Sequence, residues 1–203
     1  MPYIIRPRRR HSAIAATCAA LFALGAGSAQ AAPPSKEAAC KEPALSQPFL
    51  NEGDSRYYAL APGQTTESFG GSGWTLSGGA TVKSTTLPNG QTGTVLDLPS
   101  GSKAVSPVFC VTSEYPTARA RVRNVVGTKG VGFFVSYAET KTEIKPASGG
   151  QLVGSGTAWT LSNDMNMRPG ALEGWQKVQI ELVALADKSE YQIDNLYIDP
   201  YRR

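Results

Sequence analysis

Three stretches of the chain place an apolar side chain at every second position, and no stretch sustains the repeat of a helix face. In 177–184, Val178, Ile180, Leu182 and Ala184 share one side, while Lys177, Gln179 and Glu181 take the other. In 118–125, Ala118, Ala120 and Val122 alternate with Arg119, Arg121 and Arg123. In 131–137, Val131, Phe133, Val135 and Tyr137 alternate with Phe134 and Ser136. A period of two marks a half-buried strand, because successive side chains leave the pleat on opposite faces. Weaker strands are expected at 75–77, 80–83, 94–98, 108–113, 151–153 and 158–161. Turns are expected at Pro88-Asn89-Gly90, Pro99-Ser100-Gly101, 127–130 and Ser148-Gly149-Gly150, where glycine or asparagine takes positive φ. Punctuation about every eight to twelve residues suits a sandwich or barrel. In the last strand Tyr191 and Ile193 share one parity and Leu196 and Ile198 the other, which predicts a bulge at Asp194-Asn195.

The N-terminus has a different character. Arg6, Arg8, Arg9 and Arg10 precede an apolar run over 13–25, and Ser28-Ala29-Gln30-Ala31 offers small residues for cleavage. That is the layout of an export signal over 1–31, and the run is shorter than the roughly 20 residues of a membrane span. An uncleaved anchor is the alternative. Cys18 lacks the leucine three residues upstream of a lipidation site, and Arg9-Arg10 leaves twin-arginine export open beside the general route. Residues 32–47 read as a proline- and alanine-rich tether, and 48–203 as one domain.

Removing 1–31 changes what the composition means. The chain has 20 basic and 16 acidic side chains, and the four arginines lost leave the mature balance even. The net charge of +4 therefore belongs to the signal and does not point to nucleic acid or an acidic membrane. His11, the one histidine, is lost as well. Without it no serine–histidine–acid triad or histidine-bound zinc can form. Paired carboxylates or a lysine remain as the common catalytic routes. Of three cysteines, Cys40 and Cys110 remain; an even number in an exported chain predicts a disulfide, with two free thiols as the alternative.

Two regions carry a resemblance. Glu67-Ser68-Phe69 followed by Gly73-Trp74-Thr75-Leu76-Ser77-Gly78-Gly79-Ala80 resembles the opening motif of carbohydrate-binding modules with the galactose-binding-like jelly roll. Gly174-Trp175-Gln176-Lys177-Val178-Gln179-Ile180 and Tyr191-Gln192-Ile193-Asp194-Asn195-Leu196-Tyr197-Ile198-Asp199 resemble that fold's closing strands. The mature chain also resembles a group of small secreted bacterial proteins. The likeness covers most of 45–201 and implies an antiparallel jelly-roll β-sandwich. It does not imply a function, because the fold hosts lectins, enzyme accessory modules and receptor domains.

Sugar-binding members present two or three aromatics on a concave sheet or in edge loops, whereas this chain has three tryptophans. Trp74 and Trp175 begin strands and are expected in the core. Trp159 follows the glycine-rich 149–156 and stands either at a loop edge, where it would stack on a sugar ring, or in the core. Tyr137 ends an inward run; of the adjacent Tyr57 and Tyr58, one is expected to be exposed. Arg119, Arg121 and Arg123 would stand about 7 Å apart along one face. They would grip a carboxylated sugar or polymer phosphate, or else pair with acids on neighbouring strands. The resemblance also implies a structural calcium, with Glu67 and Asp199 at the matching positions and Asp54 a looser third, against the reading of ordinary surface carboxylates. Asp97, Asp164, Glu173, Asp187 and Asp194 are scattered and form no recognisable acid–base pair. The leading reading is a secreted, non-catalytic module for carbohydrate or another cell-surface polymer, such as a polysaccharide of the cell wall. The alternatives are a structural or protein-interaction domain of the envelope and a carboxylate-based polysaccharide-active enzyme.

Overall fold

The computed structural model describes residues 40–112, 114, 116–128, 130–137, 146–167, 174–185 and 188–200, all within the unit Glu37–Arg203. The signal at 1–31, the tether as far as residue 39, Glu173 and Asp187 lie outside the described residues.

The described residues form β1 (Ala59–Leu60), β2 (Thr75–Ser77), β3 (Thr81–Thr86), β4 (Thr92–Pro99), β5 (Lys103–Val105), β6 (Phe109–Thr112) and β7 (Thr117–Val126). They continue with β8 (Val131–Tyr137), β9 (Ala147–Leu152), β10 (Thr160–Leu161), β11 (Met165–Asn166), β12 (Trp175–Ala184) and β13 (Glu190–Asp199). One sheet has the order β10-β7-β13-β4-β3, with β1 beside β13 and β11 beside β7. The other runs β2-β5-β12-β8-β9, with β6 beside β12. All the pairings within both sheets are antiparallel. Consecutive strands β12 and β13 lie in different sheets, each between strands far away in sequence. The fold is an antiparallel jelly-roll β-sandwich.

The alternation built this core as expected. Val178, Ile180 and Leu182 from β12 meet Ala118, Ala120 and Val122 from β7 inside one apolar cluster. Trp74 is buried there, its ring 5.0 Å from that of Phe69, and its indole N–H donates to the Pro62 carbonyl at 2.8 Å. The bulge is also present: Ile193 faces Val122 while Leu196 faces Ala120, so β13 spends one residue more than β7 over that step. The extra residue returns Leu196 and Ile198 to the core side, where both are buried.

Two expectations are corrected. Trp175 is half-buried and lies outside the core cluster, because Gln176, Val178 and Ile180 hold the buried parity of β12. Ser148-Gly149-Gly150 is not a turn but the middle of β9, at a break in register between Phe133 and Phe134. The glycines serve that bulge. Gly150 has φ +125, and a Cβ on Gly149 would lie 2.2 Å from the Asn166 carbonyl oxygen.

The segment before β1 is tied to both sheets. Cys40 is disulfide-bonded to Cys110 on β6 of the smaller sheet, while β1 pairs with β13 of the larger. Between these anchors Ser46 pairs with Tyr58, and Phe49 meets the rings of Tyr58 and Tyr197 edge-on at 5.1 and 5.3 Å. This second apolar cluster buries Tyr58, while its neighbour Tyr57 stays 57% exposed. The disulfide closes a loop of 70 residues, a constraint on the unfolded chain that contributes about 4 kcal/mol in the chain-entropy picture. The double variant Cys40→Ser/Cys110→Ser is expected to lose about that much unfolding free energy in urea titration. An unchanged midpoint would show that the segment is held without the bond.

A trough on the seven-stranded sheet

Arg119, Arg121 and Arg123 leave β7 on the side opposite Ala118, Ala120 and Val122, so they stand on the outer face of the larger sheet. That face is strongly concave. From β7 to β3 there are three inter-strand steps, roughly 14 Å on a flat sheet and more than an arginine side chain spans. Yet Arg123 Nη2 donates to Thr85 Oγ1 on β3 at 2.6 Å. Trp159, just before the edge strand β10, donates its indole N–H to the Thr86 carbonyl on the opposite edge strand at 3.0 Å. The sheet is rolled until its two edges meet over its own face.

The floor of this trough is a polar relay. Arg123 donates to Gln192 Oε1 through Nε and Nη2 at 3.0 and 2.6 Å. Gln192 Nε2 donates to Asp97 Oδ1 at 2.7 Å. Lys83 pairs with Asp97 at 3.5 Å and with Glu190 at 3.1 Å. The guanidinium of Arg123 also lies 4.8 Å from the centre of the half-buried Trp159 ring.

Two depressions open on the trough. The larger, about 350 Å³, is lined by Lys83, Thr85, Arg123, Val125, Thr157 and Gln192. The smaller, about 250 Å³, is lined among others by Glu52, Glu67, Leu87, Asn89, Arg121 and Asp194. The lining residues are successive outward positions of the same strands, Arg123 and Arg121 on β7 and Gln192 and Asp194 on β13. In the smaller depression Arg121 is held by Glu52 through Nε at 2.7 Å and by the Pro48 carbonyl at 2.8 Å, with Phe49 5.1 Å away. Burial pushes the Asp194 carboxyl above the usual range, against the smaller effects of the Asn195 N–H and Arg121.

Beyond Arg121 the face is covered by the N-terminal segment. Asp54 accepts from Arg56 Nη2 at 2.7 Å, Arg119 Nη1 at 2.6 Å and the Tyr58 hydroxyl at 2.6 Å. Arg56 also reaches Asp164 at 2.7 Å, and Arg119 donates to the Ser162 carbonyl. Arg56 first, then Tyr58 and Arg119, holds the Asp54 carboxyl well below the ordinary carboxylate range, against a penalty from burial.

The other sequence candidates lie elsewhere or are otherwise engaged. Tyr137 is on β8 in the smaller sheet, packs against the core, and donates its hydroxyl to the Met167 carbonyl at 2.5 Å. Glu67 lines the smaller depression, whereas Asp199 is buried in the β13–β7 ladder opposite Thr117. Asp54 is taken by arginines. No three His, Cys, Asp or Glu side chains converge among the described residues. The trough also uses Lys83, Thr85 and Thr157, which no motif in the sequence marked, and Gln192, which stood in the closing-strand motif without a site role.

No protein-family model and no curated relative matches the chain. Similar solved structures include a family 6 carbohydrate-binding module from Clostridium cellulolyticum in complex with xylose, at 14% identity and TM-score 0.40, covering 58% of this chain and 85% of that one. Another is the CBM22-1 xylan-binding domain of Paenibacillus barcinonensis Xyn10C, at 15% identity and TM-score 0.44, covering 64% of this chain and 88% of that one. A family 11 module from Clostridium thermocellum in complex with a β-1,3-1,4-mixed-linked tetrasaccharide has 14% identity and TM-score 0.37, covering 64% and 88%. A likeness of this degree assigns no ligand to the chain.

The Asp54 cluster sets a pH dependence. A carboxylate whose folded pKa lies below its unfolded value, near 3.9, stabilises the fold above that value and loses the contribution as pH falls. The melting temperature is therefore expected to fall steeply below about pH 4. Asp54→Asn should cost about 2 kcal/mol at pH 7 by removing the carboxylate that Arg56, Arg119 and Tyr58 share, with a flatter acid limb. An acid limb as steep in the variant would place the sensitivity elsewhere.

Proposed function

We propose that the chain is a secreted, non-catalytic module that binds carbohydrate or another cell-surface polymer in the trough of the seven-stranded sheet. The observation that carries this reading is the meeting of a half-exposed tryptophan with a concave floor of hydrogen-bonding side chains, Thr85, Gln192, Arg123 and Lys83. A sugar offers that combination of needs: a C–H face for an aromatic ring and hydroxyls for a dense polar lining. Export through removal of 1–31, with 32–47 as a tether, is part of the proposal. The Cys40–Cys110 bond supports it, since such bonds persist in oxidising compartments.

One observation favours a second reading, a carboxylate-based hydrolase. Buried Asp194, its carboxyl pushed up, and exposed Glu67 line the same depression, and unlike environments are what separate an acid from a base. Release of reducing sugar that Glu67→Gln abolishes would select it.

The test of the binding reading is depletion of the purified mature protein from solution by insoluble polysaccharides and bacterial cell walls. Retention is expected on at least one polymer, reversed by a soluble glycan and unchanged by EDTA. Trp159→Ala should weaken it about tenfold, roughly 1.4 kcal/mol, with little change in melting temperature. Absence of depletion by every polymer, from folded and disulfide-bonded protein, would sink the reading and favour an envelope domain that meets other proteins.

A further inference from the structure

The trough is not an open channel. Arg123 and Trp159 stand one above the other across it, and both are fastened to the far edge strand, Arg123 at Thr85 Oγ1 and Trp159 at the Thr86 carbonyl. Thr85 and Arg123 line the larger depression, and the next outward positions, Leu87 and Arg121, line the smaller. Arg123 lines the larger depression and Trp159 neither, and the pair, fastened at Thr85 and Thr86, bridges the trough between the two like a wall. A polymer laid lengthwise would have to pass the point where Arg123 from β7 and Trp159 beside the edge strand β10 are both hydrogen-bonded to the opposite edge strand β3. Each depression, at about 350 and 250 Å³, is at or below the low end of small-molecule pockets, ~300–1,000 Å³. That is room for a chain end rather than a strand.

The charge of the larger depression narrows the ligand further. Among the described residues its lining holds two cations, Lys83 and Arg123, and no carboxylate. Lys83 is engaged by Asp97 and Glu190, but the hydrogen-bond partners of Arg123 among the described residues are the neutral Thr85 and Gln192. Arg119 and Arg121, by contrast, face Asp54 and Glu52. A guanidinium satisfied by neutral acceptors at the mouth of a cavity keeps its attraction for an anion, and a carboxylate is the acceptor its planar fork suits.

Building on the binding reading above, we propose that the larger depression takes the terminal, carboxylate-bearing sugar of a glycan chain, with Arg123 and Lys83 facing the carboxylate and the Arg123–Trp159 wall stopping the chain. The carboxylate belongs either to a uronic acid ring or to a lactyl ether such as that of N-acetylmuramic acid, and the chemistry at Arg123 is the same.

The experiment is calorimetric titration of the mature protein with galacturonate oligomers of one to six units, galactose oligomers of the same lengths, and N-acetylmuramic acid. The acidic sugars are expected to bind at least tenfold tighter than the neutral ones, with less than a threefold gain beyond two units. Preference for galacturonate or for N-acetylmuramic acid identifies the source of the carboxylate. Arg123→Gln should lower the ratio of acidic to neutral affinity severalfold, and Trp159→Ala should let affinity climb with length. Affinity of the unaltered protein that rises with each added unit would overturn the wall. Equal affinity for neutral and acidic ends would overturn the charge assignment. Retention on an insoluble polymer without binding of any of these probes would overturn the inference alone, whereas failure of both assays would remove the binding reading with it.

Discussion

The hydrogen bond from Arg123 on β7 to Thr85 on β3 closes a span that a flat sheet would hold open, with β13 and β4 lying between its ends. Twisted strands coil when they pack on a second sheet, and the bulge at Asp194-Asn195 sharpens the bend on the central strand β13. Once the sheet is rolled, its outer face becomes a concavity. Trp159 can then reach Thr86 from the opposite edge. The relay Arg123–Gln192–Asp97–Lys83 lies along the floor because those side chains share the outward parity of four adjacent strands.

The arginine row shows how position along one strand divides the work among identical side chains. Arg119 and Arg121 fall where the N-terminal segment crosses the face, and they are held by Asp54 and Glu52. Their role there is to fasten that segment, together with Phe49 and Tyr58 packed on Tyr197. Arg123 lies beyond the segment's reach and meets neutral groups and an aromatic ring instead. The disulfide at Cys40 fixes where the segment starts, so the covered and open parts of the face are set by covalent anchoring as well as by packing.

Much of the core could be read directly. The parity of 118–125, 131–137 and 177–184 placed Val122, Phe133 and Ile180 inside, and the parity change after Ile193 placed the bulge. Such signals are local, since a strand's two faces are dictated by the pleat alone. The failures came where a local signal has two meanings. Ser148-Gly149-Gly150 has the composition of a turn, but its glycines serve a bulge under Phe133 and the Asn166 carbonyl, and neither contact is visible along the chain. Trp175 looked like a core residue because it opens a strand motif, yet the inward places of β12 were already taken by its even-numbered residues.

By itself the sequence determined an all-β chain, the faces of its long strands, the bulge, and the outward direction of three arginines, because each follows from spacing over a few residues. Tertiary structure alone decided which acids those arginines would meet, that Glu67 would line a depression while Asp199 lay in the β13–β7 ladder, and that Trp159 would lie over Arg123. Those outcomes depend on contacts between residues dozens of positions apart, 108 in the case of Arg56 and Asp164. They also depend on the curvature of a sheet, which no single strand specifies.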